Sequence, residues 1–198
     1  MSDVKNAYDQ IVDFLNNTTE KTLLIYGIAD EKKHISLLKA LNAQGKQQGL
    51  IFLIHTTKDG MKSFFRWAGL YKVKVPSRYG QAVKLSNITI YFDNLSTKSS
   101  CDKYDNHAFD FMIVWPIQSV TKNNNEIQML KEMARRQKTK KIIFLTIKEP
   151  WYSPDPIKEF VDRTIKLDCE NDDPDEYQRI IAAYKEDLKI QEQRNRFV

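Results

Sequence analysis

From Asp3 to Asn17 the apolar residues Val4, Ala7, Tyr8, Ile11, Val12, Phe14 and Leu15 recur at the three-and-four spacing of a helix with one buried face, and Asn16-Asn17-Thr18-Thr19 ends it. Leu23 to Ile28 is instead continuously apolar, as in a strand covered on both faces. Helical spacing returns over Glu31 to Gln44, with Gly45 near its end, and Leu50 to Ile54 predicts a second buried strand. Asp59 to Ala68 predicts a crossover helix closing near Gly69. The pattern then loosens: Tyr71 to Val75 alternates, Pro76 to Gly80 interrupts, Ile88 to Phe92 reads as a short strand, and the polar stretch 93–107 reads as a mobile loop. Phe109 to Trp115 and Lys141 to Ile147 are strong apolar strands, separated by a helix over Glu126 to Gln137. Thr164 to Leu167 is a last, weaker strand.

Prolines mark the remaining boundaries. Asp155 with Pro156 predicts a capped short helix, and Asp173-Pro174-Asp175-Glu176 combines cap, first-turn proline and third-position acid ahead of the final helix. Apolar strands alternating with amphipathic helices predict one α/β domain over residues 1–198. It has three layers, a mainly parallel central sheet with helices on both faces, an N-terminal helix within 1–20 and a C-terminal helix and tail over 173–198. The sheet strands expected are 23–28, 50–55, 109–115, 141–147 and 164–168.

Composition narrows the classes. The 198 residues are 41% hydrophobic and 11% aromatic, enough to fill one core. No apolar run approaches the roughly 18 residues of a membrane span, and no secretory signal opens the chain, so a cytoplasmic protein without membrane contact is expected. Cys101 and Cys169 stand alone, and His34, His55 and His107 are scattered, which argues against a zinc site. The net charge of +5 is unevenly spread. Seven cations face one acid over Lys58 to Lys84, and seven face one acid over Lys131 to Lys148, whereas ten acids face three cations over Glu149 to Glu176. Such polarity suits an anionic partner or head-to-tail contact between copies.

In a doubly wound sheet, ligands sit beyond the carboxyl ends of the strands. The first such loop, Gly27-Ile28-Ala29-Asp30-Glu31-Lys32-Lys33-His34, keeps the first glycine and the lysine of GxxxxGK[ST]. Lys32 replaces the second glycine and His34 the magnesium-binding hydroxyl. With the landmarks that follow, the chain resembles the RecA/KaiC group of P-loop ATPases over nearly everything after residue 20. These landmarks are His55-Thr56-Thr57-Lys58-Asp59 after the second strand, Phe111-Met112-Ile113-Val114 in the place of the Walker B strand, then KIIFLTI, then Phe160 to Leu167. The resemblance implies a RecA-like P-loop fold in which strand 141–147 lies between the first strand and the Walker B strand.

It also implies loss of catalysis. Lys58 stands about where the catalytic glutamate belongs, Trp115 replaces the Walker B aspartate and His34 the hydroxyl, so the acid that orients water and the oxygens that hold magnesium are missing together. Asp110 lies at the wrong end of its strand to substitute. A catalytically inactive domain that regulates or assembles by binding protein is the leading expectation, without a cofactor. The alternatives are a nucleotide-binding protein or atypical ATPase holding ATP or ADP through Gly27, Lys32, Lys33 and His34, and a nucleic-acid-binding accessory protein.

Individual residues carry two readings each. Lys33 either touches an anion at a helix start or is a solvated lysine of the run Glu31-Lys32-Lys33, the commoner role and the preferred one. Arg66, Trp67, Lys72, Lys74 and Arg78 interleave cations with aromatics, as Tyr71 and Tyr79 also do, and suit stacked bases on a charged backbone or else core and solvated strand ends. Trp151 and Tyr152 sit where RecA-like recombinases present a DNA-contacting loop, and equally suit an oligomer contact. The acids from Asp168 to Asp175 lack the spacing of a calcium loop and read as a solvated turn.

Overall fold

A computed structural model of the protein describes residues 2–53, 58–76, 81–94, 107–121, 123–147 and 152–195. Ser2 caps α1 (Asp3–Asn16) by accepting from Lys5 N, and Asn17 closes it, its side chain turning to accept from Thr19 N and Glu20 N. The later elements are β1 (Thr22–Tyr26), α2 (Asp30–Ala43), β2 (Gln47–Leu53), α3 (Lys58–Trp67), β3 (Ala82–Leu85), β4 (Ile88–Asn94) and β5 (Phe111–Trp115). After a 3-10 turn at Ile117–Val120 come α4 (Asn124–Arg136), β6 (Lys141–Leu145), the short α5 (Asp155–Lys158), β7 (Arg163–Lys166) and α6 (Pro174–Asn195).

The seven strands form one sheet in the order β3-β4-β2-β5-β6-β1-β7, parallel except where β3 runs antiparallel to β4. β6 lies between β1 and β5, the position implied by the resemblance. β5 and β6 are buried at every residue, which is why they read as unbroken apolar runs. One face of the sheet packs against Ile11 and Phe14 of α1, Leu37 and Leu41 of α2, and Phe64 and Phe65 of α3. The other packs against Leu130 and Met133 of α4 and Ile157 of α5. These are the three layers expected, each buried large apolar side chain contributing about 1.5–3 kcal/mol.

Several expectations are corrected. Ile88 to Asn94 is a full member of the sheet, parallel to β2, because Ile88, Ile90 and Phe92 point into the core while Thr89 and Tyr91 stay half-exposed. Tyr71 to Val75 forms no strand despite its alternation. Asp155 lies inside α5 rather than capping it, and Pro154 occupies the cap. Asp173 does cap α6, accepting from Glu176 N at 3.0 Å. The loop at 93–107 lies outside the described residues except at its ends, where Asp93 and Asn94 complete β4 and His107 precedes the β5 strand. The helices of the two basic segments, α3 and α4, pack on opposite faces of the sheet.

Candidate functional site

β1 delivers Gly27 to Asp30 to the carboxyl edge of the sheet, where α2 begins. Gly27 has φ +111°, and a side chain there would meet Leu167 O at 2.5 Å and Asp168 Oδ1 at 2.6 Å. The backbone trailing β7 therefore requires this glycine. That segment also grips the loop: Ala29 N donates to Leu167 O at 3.2 Å and Ile28 N to Asp168 Oδ1 at 3.0 Å. A phosphate loop holds its anion with free backbone N–H groups. Here the N–H groups of Ile28 and Ala29 already donate within the chain, one of them to a carboxylate.

Lys33 is wholly buried, which corrects the solvated reading. Its Nζ donates to Gly27 O at 2.6 Å and to Thr146 Oγ1 at 3.1 Å, and pairs with Asp30 Oδ1 at 3.0 Å. Burial pushes its pKa down and Asp30 opposes that. The ammonium thus ties the loop to its own helix and to the end of β6.

His34, also fully buried, places Nδ1 2.7 Å from Asp30 O. A carbonyl only accepts, so Nδ1 carries the proton and Nε2 is left as an acceptor, which has no hydrogen-bond partner. Burial pushes its pKa down to about 3, so the ring is neutral. It meets Phe64, Trp67 and Trp115 edge-on at 5.1, 5.3 and 5.7 Å between centroids. Trp115 in turn contacts Phe64 and Trp67 at 5.4 and 5.5 Å. His34 and Trp115, which the resemblance sets in the hydroxyl and Walker B aspartate positions, therefore meet each other inside an aromatic cluster. Magnesium wants an octahedron of oxygens, and this cluster does not fit it.

Above the start of α2 lies a cavity of about 360 Å³ between the β1 loop, the end of β7 and the first turns of α6. Among the described residues Asp30, Glu31, Asp168, Asp173 and Glu176 line it with a single cation, Lys32, whose side chain is exposed. Carboxylates on this scale oppose a polyphosphate. The acidic turn is itself engaged: Asp168 pairs with Lys166 at 2.6 Å, and Asp172 accepts from Val4 N at 2.9 Å. Glu170, Asp172, Asp173 and Asp175 are exposed, as in the solvated turn expected, and only Asp168 is half-buried. Among the described residues no group of three or more His, Cys, Asp or Glu could hold a metal ion.

Arg66, Lys72 and Lys74 are exposed, as a contact surface requires. Trp67 is not presented for stacking, since its ring packs on His34 and Trp115. Tyr152 is half-buried, lining a second cavity of about 290 Å³ with Tyr26 and Tyr177. Arg78, Tyr79, Trp151, Cys101 and His55-Thr56-Thr57 lie outside the described residues, as does the side chain of Lys58. Asp110 holds Lys140 at 2.7 Å and accepts from Gln48 N, at the amino end of β5 as expected. Sequence reasoning missed Thr146, although it follows an apolar strand at the edge where this fold keeps its ligands. It also missed Asp168 as a partner of the loop.

No helix among the described residues is long and apolar enough to cross a membrane. The sequence matches no family model and no curated protein. Solved structures similar to it include a large terminase from a thermophilic bacteriophage in complex with ADP, at 10% identity and TM-score 0.48, over 81% of this chain and 44% of that one. An ATPase from the type III secretion system of pathogenic bacteria is similar at 11% identity and TM-score 0.48, over 80% and 54%. A DNA replication initiation factor is similar at 12% identity and TM-score 0.44, over 93% and 50%. The chain spans about half the length of the structures it matches.

Proposed function

We propose that the protein is a catalytically inactive α/β domain of RecA/KaiC type that acts as a regulatory or assembly partner by binding protein, either another chain or a second copy. The contact of His34 with Trp115 carries this reading. Two positions that would have to present oxygens to magnesium instead bury a neutral imidazole and an indole against Phe64 and Trp67. The internal satisfaction of the loop supports it: Asp168 takes an amide that a phosphate would use, and Gly27 O, Thr146 and Asp30 engage Lys33. What such a domain keeps is a rigid sheet with decorated edges, which suffices for binding.

The competing reading, a nucleotide-binding protein, has the spacing of Gly27 and Lys33 in its favour, with the acidic lining of the adjoining cavity against it. Calorimetric titration with ATP and ADP, with and without magnesium, separates the two. No binding in the micromolar range and no phosphate release are expected. Magnesium-dependent turnover would overturn the non-catalytic reading, and micromolar binding without turnover would shift it to a nucleotide sensor.

A further inference from the structure

Gly69, at φ +73°, ends α3 in a left-handed turn, with Leu70 N donating to Phe65 O at 2.8 Å and Gly69 N to Arg66 O at 2.9 Å. This turn folds the next residues back along the helix, and a groove of about 510 Å³ opens between them. Phe65 and Val73 are part of its apolar lining. Lys62 and Arg66, one turn apart on α3, and Lys74 from the returning segment line it, with no acidic side chain among its described lining residues. Asp59, one turn before Lys62, pairs with it at 3.4 Å. Tyr71 lines the groove with 71% of its surface exposed, and Leu70 lies beside it at 36%. Tyr71 is the most exposed large hydrophobic side chain among the described residues, whereas Trp67, the more obvious stacking candidate, is held by the His34 cluster.

We propose that this groove binds single-stranded nucleic acid, with Lys62, Arg66 and Lys74 on the phosphates and the Tyr71 ring stacked on a base. Three cations, with no carboxylate among the groove's described lining residues, supply the charge complementarity for a polyanion. The exposed ring selects among polyanions. A duplex buries its base faces, whereas an unstacked base offers one to the ring. None of the residues lining the groove belongs to the His34–Trp115 cluster, so magnesium-dependent ATP turnover would overturn the non-catalytic reading and leave the groove untouched.

The test is fluorescence anisotropy of the full chain with a labelled oligothymidylate and a ribo-oligonucleotide of about 16 nucleotides. Binding is expected at low salt, with affinity falling roughly 20-fold over a four-fold rise in salt for three phosphate contacts on a single strand. Arg66→Ala or Lys74→Ala should each lower the slope of log affinity against log salt by about 0.7. Tyr71→Ala should weaken binding by about 5-fold or more at unchanged slope. Lys185→Ala, an exposed lysine on α6, should change neither. These side chains are exposed, and thermal melts of each variant should match the parent. No binding at tens of micromolar protein would overturn the proposal. So would equal affinity for a duplex of the same length, or a Tyr71→Ala curve superimposable on that of Lys185→Ala. Capture of the chain by phosphatidylserine vesicles with no oligonucleotide binding would also overturn it, reassigning the groove to a lipid surface.

Discussion

A buried histidine with one nitrogen satisfied and the other without a partner makes stability depend on pH in a definite direction. In the unfolded chain His34 titrates near the ordinary 6.5, and in the fold burial depresses it to about 3. Above pH 6.5 both states are neutral and the residue adds no pH dependence. Between 6.5 and about 3 the unfolded state takes up a proton that the folded state refuses, so stability falls as pH falls through that window. Urea midpoints measured at about pH 7.5 and about pH 5 should therefore differ more in the parent than in His34→Phe. Equal acid sensitivity in the two proteins would mean that His34 keeps an ordinary pKa. The identities of Gly27, Lys33, His34 and Trp115 were legible in the sequence, and so was their departure from the phosphate-loop pattern. Their surroundings were not. The partners of Lys33 and of the loop come from Thr146, Leu167 and Asp168, more than a hundred residues on, and only the closing of β6 and β7 around β1 brings them near.

At the scale of elements, the same residue type does different work at two turns. Gly27 combines a positive φ with contacts of 2.5 and 2.6 Å awaiting any side chain, one of them to backbone that cannot move aside cheaply. Gly69 has the positive φ and nothing within 4 Å of the missing Cβ. Gly69→Ala should thus cost only the left-handed strain, about 1–2 kcal/mol, and Gly27→Ala clearly more, because the end of β7 must be displaced as well. Chemical denaturation of both variants checks the ranking, and equal losses would mean that the β7 segment yields freely. The strands that a sheet covers on both sides were legible because burial removes their alternation. β4 was found as a strand but not as part of the central sheet, since its alternation is that of a strand half open to water. Tyr71 to Val75 carries a similar alternation and is no strand: the turn at Gly69 returns it along α3, where the helix, not a neighbouring strand, receives its apolar side chains.

For the whole molecule, the segment charges that suggested head-to-tail assembly are partly consumed within one chain. Lys131 approaches Glu159 at 3.9 Å, Lys140 pairs with Asp110, Lys158 pairs with Asp155, and Lys141 is buried, its Nζ on the carbonyls of Asn17 and Glu20. Arg163, from the acidic segment, holds Asp13 and Glu20 at 2.7 Å each. A linear charge count could not foresee this, because β6 and β7 flank β1 and bring the two segments within reach of each other. The α2 cavity keeps an acidic rim of Glu31, Asp173 and Glu176, of which Asp173 caps α6 and Glu176 pairs with Arg179. Trp67 lines that cavity and Arg66, its neighbour in sequence, lines the groove, so the acidic rim and the basic groove adjoin. Contact between exposed cations of one copy and the acidic rim of the next would be heterologous and would grow into rings or open chains. Sedimentation velocity at low salt should then show mass rising with concentration, and moderate salt should reverse it as the charges are screened. A Glu31→Lys, Glu176→Lys double variant should remain monomeric under the same conditions. If the parent is itself monomeric at every concentration and at low salt, self-assembly fails and the binding role passes to a partner of different sequence.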